Sequence, residues 1–218
     1  MPYPRSQIVT WIPDAYYHIY NRGVSKSTLF RSEFNYQYVL RKAELYCREF
    51  DLSMIAYCLM PNHYHFVTRQ NGDHPAGLLP QRIFNGYTKA YNLRYAHSGT
   101  LFERRYQVKL VDSYAYLLHL CRYVHANPVM AGFVDDPGGW PYSNYLDWIE
   151  GRNGKLVDPT FVREHFESAA VYKTFVQDYI RTGLMPERIA LTADPILNTF
   201  KQTSAPFGTI QSPPFTDL

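Results

Sequence analysis

The sequence predicts an α+β fold in which helices pack on a mostly antiparallel sheet. The candidate strands are short apolar runs that end at turn residues, and the candidate helices carry apolar residues at helical spacing. Along the chain these elements follow the order strand, helix, strand, strand, helix, strand, helix. This order is close to a ferredoxin-like split βαβ arrangement, because two strands in direct succession form an antiparallel hairpin.

The first strand is predicted at residues 16–23, where the run YYHIYNRG ends in a glycine turn, and residues 32–50 have the apolar spacing of a helix. Residues 52–60 and 63–69 are apolar runs separated by a Pro-Asn turn. We therefore expect them to be the two strands of a hairpin.

The remaining elements of the core follow the same alternation. A long helix is expected over about residues 78–97 and a strand over residues 100–111. A further helix is expected from about residue 113 to Pro128, which closes it because proline cannot donate the helical hydrogen bond.

The sequence changes character after about residue 150, so we predict a main domain at residues 1–150 and a C-terminal extension at residues 151–218. Residues 158–183 have the pattern of one or two amphipathic helices that begin at an Asp-Pro cap. From about residue 186 the chain is rich in proline and poor in apolar clusters, which is typical of an extended or mobile arm.

The composition is that of a globular protein, since 46% of the 218 residues are hydrophobic and 19% are charged. No apolar run approaches the roughly 18 residues of a membrane span, and the N-terminus lacks the apolar segment of a secretion signal. The three cysteines lie far apart with no CxxC pair. These features predict reduced thiols in a cytoplasmic protein.

Basic residues are concentrated between residues 82 and 109, although the formal net charge of the whole chain is only +3. They are interleaved with aromatic residues, a combination that suits a phosphate backbone and unstacked bases. The alternative is an ordinary amphipathic helix with a solvated basic face. The candidate DNA contacts are Arg22, Lys26, Arg82, Lys89, Arg104 and Arg105.

Two histidines, His63 and His65, stand one residue apart in the returning strand of the hairpin. Side chains alternate along a strand, so both imidazoles face one way, about 7 Å apart at Cα, and can converge on one cation. So short a pattern also arises by chance, and the side chains then only pack or face solvent. His18, in the first strand, could approach this site, but we expect it to be a structural histidine.

Tyr123 and Asn127 are four residues apart in the last core helix, so they lie side by side at the edge of its apolar stripe. Alone, the pair is also what a boundary tyrosine near the end of a helix would give. Together with the histidines it suits one reaction. A cation held by His63, His65 and the Asn127 amide oxygen would polarise a phosphodiester, and the Tyr123 hydroxyl would attack phosphorus to form a phosphotyrosine. His125 is expected to face away from Tyr123.

The chain resembles the single-tyrosine HUH transposases of the IS200-like group in three blocks: CLMPNHYHF at 58–66, GTLFERRYQVKLVDSYAYLLHLCRYVHANPVMAGFV at 99–134 and WPYSNY at 140–145. These blocks are most similar to elements of the REP-associated tyrosine transposases. The similarity covers about residues 14–146, and the three blocks in this order are far more specific than any one of them.

The resemblance implies an HUH fold, a Mg²⁺ or Mn²⁺ ion held by His63, His65 and Asn127, and Tyr123 as the nucleophile. It implies single-stranded DNA with a foldback hairpin as the substrate. Cleavage would leave a 5′-phosphotyrosine and a free 3′-hydroxyl, which can rejoin another strand without ATP. Tyr64 departs from the family pattern, which prefers an aliphatic residue there, and we expect it to point away from the metal as a packing change.

Three alternatives stay open. The first is a domesticated hairpin-DNA-binding protein without strand transfer, against which the intact residue set speaks. The second is a replication initiator or relaxase with related chemistry, which the short chain without a phosphate-binding glycine loop disfavours. The third is an IS200-type homodimer whose tyrosine helix reaches a partner. The Tyr-x-x-x-Asn-Pro element instead favours the REP-associated type, which can act as a monomer.

Overall fold

The computed structural model of the protein describes residues 9–152 and 154–184. The strands are β1 (Tyr16–Arg22), β2 (Leu52–Met60), β3 (His63–Gln70) and β4 (Gln107–Val111). The helices are α1 (Glu33–Glu49), α2 (Leu78–Arg94), α3 (Tyr114–Met130), α4 (Tyr145–Ile149), α5 (Pro159–His165) and α6 (Ala169–Thr182).

One four-stranded sheet organises the fold, in the order β2-β3-β1-β4 with antiparallel pairing between all neighbours. Helices α1 and α2 cover one face and enclose the main apolar core. Helix α3 lies on the other face, mainly against β2, and α6 packs on α3. The predicted α+β arrangement of ferredoxin-like type is therefore confirmed.

The outer edge of β2 is covered by the segment that precedes α4. The Leu59 N–H donates to the carbonyl of Tyr142 at 2.9 Å, and the indole N–H of Trp140 donates to the carbonyl of Leu59 at 3.0 Å. The backbone N–H and carbonyl of Leu59 at the edge of β2 are thus bonded within the chain. Another strand cannot pair with the sheet edge at this residue.

The predicted hairpin agrees with β2 and β3, but the predicted strand at 100–111 is too long, since β4 begins only at Gln107. Before β4 the chain wraps around the end of β1. There the Val24 N–H donates to the carbonyl of Leu101, and the Glu103 N–H donates to the carbonyl of Arg22. These backbone groups are used in a loop and do not extend the β4 ladder.

Helix α3 runs through Pro128 to Met130, so the prediction that this proline closes the helix is wrong. Proline removes one donor, but the next turn is kept by the Ala131 N–H, which donates to the carbonyl of Asn127 at 3.0 Å. The helix ends instead before Gly132, whose φ of +74° is left-handed. Asn127 therefore lies in regular helix, one turn from Tyr123.

The helical pattern predicted at 158–183 is confirmed as the two helices α5 and α6. The Asp158 carboxylate caps α5 by accepting from the Thr160 and Phe161 N–H groups, both at 3.1 Å. The domain division at residue 150 stays a prediction, and the proline-rich segment from residue 186 lies outside the described residues. In the described part of the chain, none of the helices has the length and apolar composition needed to cross a membrane.

Candidate active site

His63 and His65 lie on the face of β3 that α3 covers. Both residues are 2% exposed, and their rings meet edge to face with centroids 5.1 Å apart. Tyr64 points to the opposite face, where it stacks on Phe84 of α2 at a centroid distance of 4.3 Å. The two imidazoles are thus on one side of the strand and Tyr64 is a core residue, as strand alternation predicts.

The hydrogen bonds of His63 fix which of its nitrogens faces the site. The Asn62 side chain donates through Nδ2 to the carbonyl of Lys26 at 3.4 Å, so its Oδ1 is the atom that meets His63 Nδ1 at 2.7 Å. A neutral imidazole has one proton, and the shorter of its two contacts with an amide oxygen favours that proton on Nδ1, with the lone pair on Nε2. Nε2 in turn lies 3.2 Å from Oδ1 of Asn127 on α3.

His65 is held by a second imidazole. Its Nδ1 lies 3.0 Å from Nε2 of His18 on β1, and the two rings stack with centroids 5.2 Å apart. The other nitrogen of His65, Nε2, is buried and has no hydrogen-bond partner among the described residues. Sequence reasoning left the contact with His18 open, because it depends on the register of β1 against β3, which neither strand specifies alone.

Tyr123 lies beside His65, with ring centroids 5.4 Å apart and the rings nearly perpendicular. On its other side the ring of Tyr179 from α6 is 6.4 Å away. The Tyr123 hydroxyl is buried and makes no hydrogen bond of regular geometry with the described residues, although the Asn127 side chain is near enough to lower its pKa. Tyr123 and Asn127 are 5% and 4% exposed, which corrects the expected position at the edge of the helix stripe. They are interior because α6 covers α3.

Burial favours the neutral forms of the ionisable groups in this cluster. It lowers the pKa of His63 to about 4 and that of His18 to about 3, and it holds the pKa of His65 well below its usual 6.5. Burial also raises the pKa of Tyr123. Tyr179 raises this pKa further, and the Asn127 side chain lowers it. At neutral pH the imidazoles are therefore uncharged, which is the form that binds a metal, and the tyrosine keeps its proton.

The donor set fits a divalent cation. His63 Nε2, His65 Nε2 and Asn127 Oδ1 lie on neighbouring buried side chains, and each of these atoms can present a lone pair to a cation. Across residues 9–152 and 154–184, no group of three or more His, Cys, Asp or Glu side chains could hold a metal. A metal site at this position therefore depends on the asparagine amide.

The candidate DNA contacts divide into two groups. Those at the end of the sheet where His63 lies are Arg22, Lys26, Arg104 and Arg105. Arg22 is opposite His63 in the β1–β3 register and forms an ion pair of 3.0 Å with Glu103. Lys26, Arg104 and Arg105 are exposed.

The second group, Arg82 and Lys89, lies on the exposed side of α2, behind the sheet, so the structure does not bring it to the histidines. The aromatic residues between them correct another expectation. Phe84, Tyr87 and Tyr91 are at most 7% exposed and belong to the core. Their spacing reflects the buried face of a helix and is not a surface for base stacking.

A buried network fixes α3 between β2 and α6. The Asn144 side chain accepts from the Tyr57 N–H at 2.8 Å and donates to the carbonyl of Ile55 at 2.9 Å. Its Oδ1 also meets Nε2 of His125 at 2.9 Å, so His125 donates there and accepts at Nδ1 from the Tyr172 hydroxyl at 2.6 Å. His125 thus serves α3 as a structural residue on the far side of the helix from the candidate nucleophile.

Comparisons with known proteins bear on this cluster. The family model for IS200-like transposases matches residues 12–127, which include all four candidate site residues. A protein of Haemophilus influenzae strain Rd, whose name assigns it to the REP-associated tyrosine transposases, is 27% identical over 114 residues. The alignment covers 45% of this chain and 62% of that protein, so the chain spans less than two thirds of the relative's length.

A solved structure gives a likeness in fold. It is that of a REP-associated tyrosine transposase bound to a REP hairpin, with a TM-score of 0.55 and 20% identity, over 72% of this chain and 91% of that one. The resemblance predicted from the three sequence blocks is confirmed. Because the family model matches more than half of its residues, the chain belongs to the IS200-like transposase family.

Proposed function

We propose that the protein cleaves and rejoins single-stranded hairpin DNA through a 5′-phosphotyrosine on Tyr123, with a divalent cation held by His63, His65 and Asn127. One observation carries the proposal. Two neutral imidazoles, an amide oxygen and an unpartnered tyrosine hydroxyl meet in one buried cluster of a chain that belongs to a transposase family.

The proposed reaction exchanges one phosphate ester for another. The Tyr123 oxygen bonds to phosphorus as the bond from phosphorus to the 3′-oxygen breaks, and the phenol proton ends on the departing 3′-hydroxyl. Attack by a 3′-hydroxyl on the phosphotyrosine reverses these changes and rejoins a strand. The number of ester bonds is unchanged, so the exchange needs no ATP.

When bound, Mg²⁺ or Mn²⁺ supplies Lewis-acid polarisation of the phosphodiester. The chain contributes orientation. Asn62 favours the proton of His63 on Nδ1, which directs the Nε2 lone pair toward Asn127. Tyr123 and Asn127 share a face of α3 because they are four residues apart in regular helix. The cover of α6 keeps water from the Tyr123 hydroxyl.

Hairpin DNA is the proposed substrate because a protein of the same fold is bound to a REP hairpin and because basic residues surround the His63 end of the sheet. Lys26, Arg104 and Arg105 are exposed there. We propose that one chain forms a complete site, since Tyr123 lies in ring contact with His65 of the same chain. This supports the monomeric REP-associated type over a dimer that exchanges tyrosine helices.

The burial of the Tyr123 hydroxyl favours a second candidate, a hairpin-DNA-binding protein that performs no strand transfer. One experiment separates the two. End-labelled hairpin oligonucleotides from the DNA that flanks the gene are incubated with wild type and Tyr123→Phe, with Mn²⁺, Mg²⁺ or EDTA. A labelled, protease-sensitive adduct that requires both the metal and Tyr123 supports strand transfer. A gel shift of the same hairpins without an adduct supports the DNA-binding protein.

A further inference from the structure

We propose that His18 is a positioning residue of the metal site, because it accepts a hydrogen bond from His65 Nδ1 and so keeps the Nε2 lone pair of His65 open to a cation. This inference rests on the metal site proposed above. It extends that site by a residue from β1, the strand next to β3, which carries both candidate histidine ligands.

The contact is built into the sheet. In the β1–β3 register His18 is opposite Val67 and His65 is opposite Tyr20, so the two histidines are diagonal neighbours on the face beneath α3. Both are 2% exposed, and their rings stack with an interplanar angle of 20°. Nε2 of His18 lies 3.0 Å from Nδ1 of His65, which is hydrogen-bond distance.

Only one proton can lie between these two nitrogens. Whether it belongs to His18 or to His65 decides which tautomer a neutral His65 adopts. If His18 donated, neutral His65 would carry its own proton on Nε2, where it would be a buried donor without a partner and would block a metal. If His18 accepts, His65 carries its proton on Nδ1 and its Nε2 lone pair is free for coordination. The unpartnered Nε2 therefore favours the second arrangement.

The surroundings of His18 suit an acceptor. Its cross-strand neighbour on β4 is Lys109, and the ring of Tyr20 lies with its centroid 4.7 Å away. A lysine cation beside a buried imidazole disfavours a second positive charge on that ring. A neutral His18 has one lone pair, and its Nε2 is close enough to His65 Nδ1 to accept a hydrogen bond there.

The test compares His18→Leu, which removes the acceptor, with His18→Gln, which keeps one at similar reach. The control is Val67→Ala, a packing change at a fully buried neighbour that bonds to neither ligand. Two quantities are measured in the full chain: the dissociation constant for Mn²⁺ by calorimetry, and the tautomer of His65 in metal-free protein from ¹⁵N chemical shifts. Thermal unfolding of each variant shows that it is folded.

We expect the Nδ1–H tautomer of His65 in metal-free wild type. His18→Leu should weaken Mn²⁺ binding by about 10- to 100-fold, as is typical when the partner of a ligand histidine is lost. His18→Gln should restore most of that loss, and Val67→Ala should bind as wild type does. An unchanged dissociation constant in His18→Leu, or a dominant Nε2–H tautomer in wild type, overturns the inference.

The same data keep this inference separate from the proposed function. Wild-type protein that binds neither Mn²⁺ nor Mg²⁺ contradicts the metal site and the role of His18 together. Wild-type protein that binds Mn²⁺, with His18→Leu binding equally well, contradicts the role of His18 alone. If His18→Leu does not fold, the role of His18 is judged from the tautomer of His65 in wild type and from the Mn²⁺ affinity of His18→Gln. An Nε2–H tautomer of His65 overturns that role.

Discussion

Nε2 of His63 lies 3.2 Å from Oδ1 of Asn127, so the histidine of β3 and the asparagine of α3 are in direct contact. The shorter contact of the ring, 2.7 Å from Nδ1 to Oδ1 of Asn62, favours the proton of the neutral imidazole on Nδ1. Nε2 then presents its lone pair beside the amide oxygen of Asn127. In the proposed site a metal ion bound by both atoms would join β3 to α3, and it would also satisfy the buried Nε2 of His65.

Binding of Mn²⁺ should stabilise the folded protein, because the three ligands come together only in the fold. At a free Mn²⁺ concentration about 100 times the dissociation constant, the gain in the free energy of unfolding is about 2.7 kcal/mol. Urea unfolding with Mn²⁺ and with EDTA measures it. His63→Ala should lose this gain, whereas Arg82→Ala, on the outer side of α2, should keep it. An equal gain in both variants would contradict the site.

Mild acid should destabilise the fold through its buried histidines. Burial lowers the pKa of His63 and of His125 to about 4, whereas an unfolded histidine titrates near its usual 6.5. The unfolded chain therefore binds more protons between these values. The histidine contribution is complete above about pH 6.5 and falls by up to about 1.4 kcal/mol per pH unit for each histidine as the pH drops toward 4.

Urea unfolding from about pH 7 to about pH 5 checks this prediction, because most carboxylates stay ionised over that range. His125→Gln should reduce the slope by about one proton relative to wild type. A free energy of unfolding that stays level between pH 6.5 and 5 would show that these imidazoles are charged in the fold.

The basic residues near His63 should matter for DNA more than those behind the sheet. We expect Arg104→Gln and Arg105→Gln each to weaken hairpin binding and to reduce the slope of log affinity against log salt by about 1, the effect of one lost phosphate contact. Arg82→Gln and Lys89→Gln should change neither quantity. Fluorescence anisotropy over a salt series measures both, and equal losses in all four variants would contradict the proposed DNA path.

Asn144→Ala should destabilise the protein by at least about 3 kcal/mol, since it leaves the Tyr57 N–H, the Ile55 carbonyl and the His125 ring N–H without their partner, at about 1–3 kcal/mol each. Urea unfolding measures the loss. The matched control is Asn92→Ala, whose side chain bonds to the exposed carbonyl of Gly99 and to the part-buried ring of His97. It should cost about 1 kcal/mol, because both partners can reach water. Similar losses in both variants would argue against the buried network.

The sequence predicted those parts of the site that are arranged within a single strand or helix. Strand alternation brings His63 and His65 to one side, and helical spacing brings Tyr123 and Asn127 together, because each pair lies within one element. The parts that the sequence left open depend on pairing between distant strands. His18 reaches His65 through the β1–β3 register, and no pattern within residues 16–23 reveals it.

Packing between elements explains the other differences. The aromatic residues of α2 looked suited to bases, yet the same spacing is that of a buried helix face, and Tyr87 and Tyr91 fill the core. Tyr123 was expected at a boundary because α3 was considered without α6, whose Tyr179 ring lies beside Tyr123. Residues 100–106 have strand-like composition, but their backbone bonds to the end of β1 instead.

The central claim is that Tyr123 forms the covalent link to DNA, and the most direct test is to identify the modified residue among the 20 tyrosines of the chain. The adduct formed with Mn²⁺ is trimmed by nuclease, cleaved with trypsin after Arg122 and sequenced by mass spectrometry. We predict a nucleotide on Tyr123, the first residue of its peptide. Tyr64 lies between the two histidines in sequence and faces the core on the other side of the sheet. A nucleotide on Tyr64 or on any other residue would contradict the account.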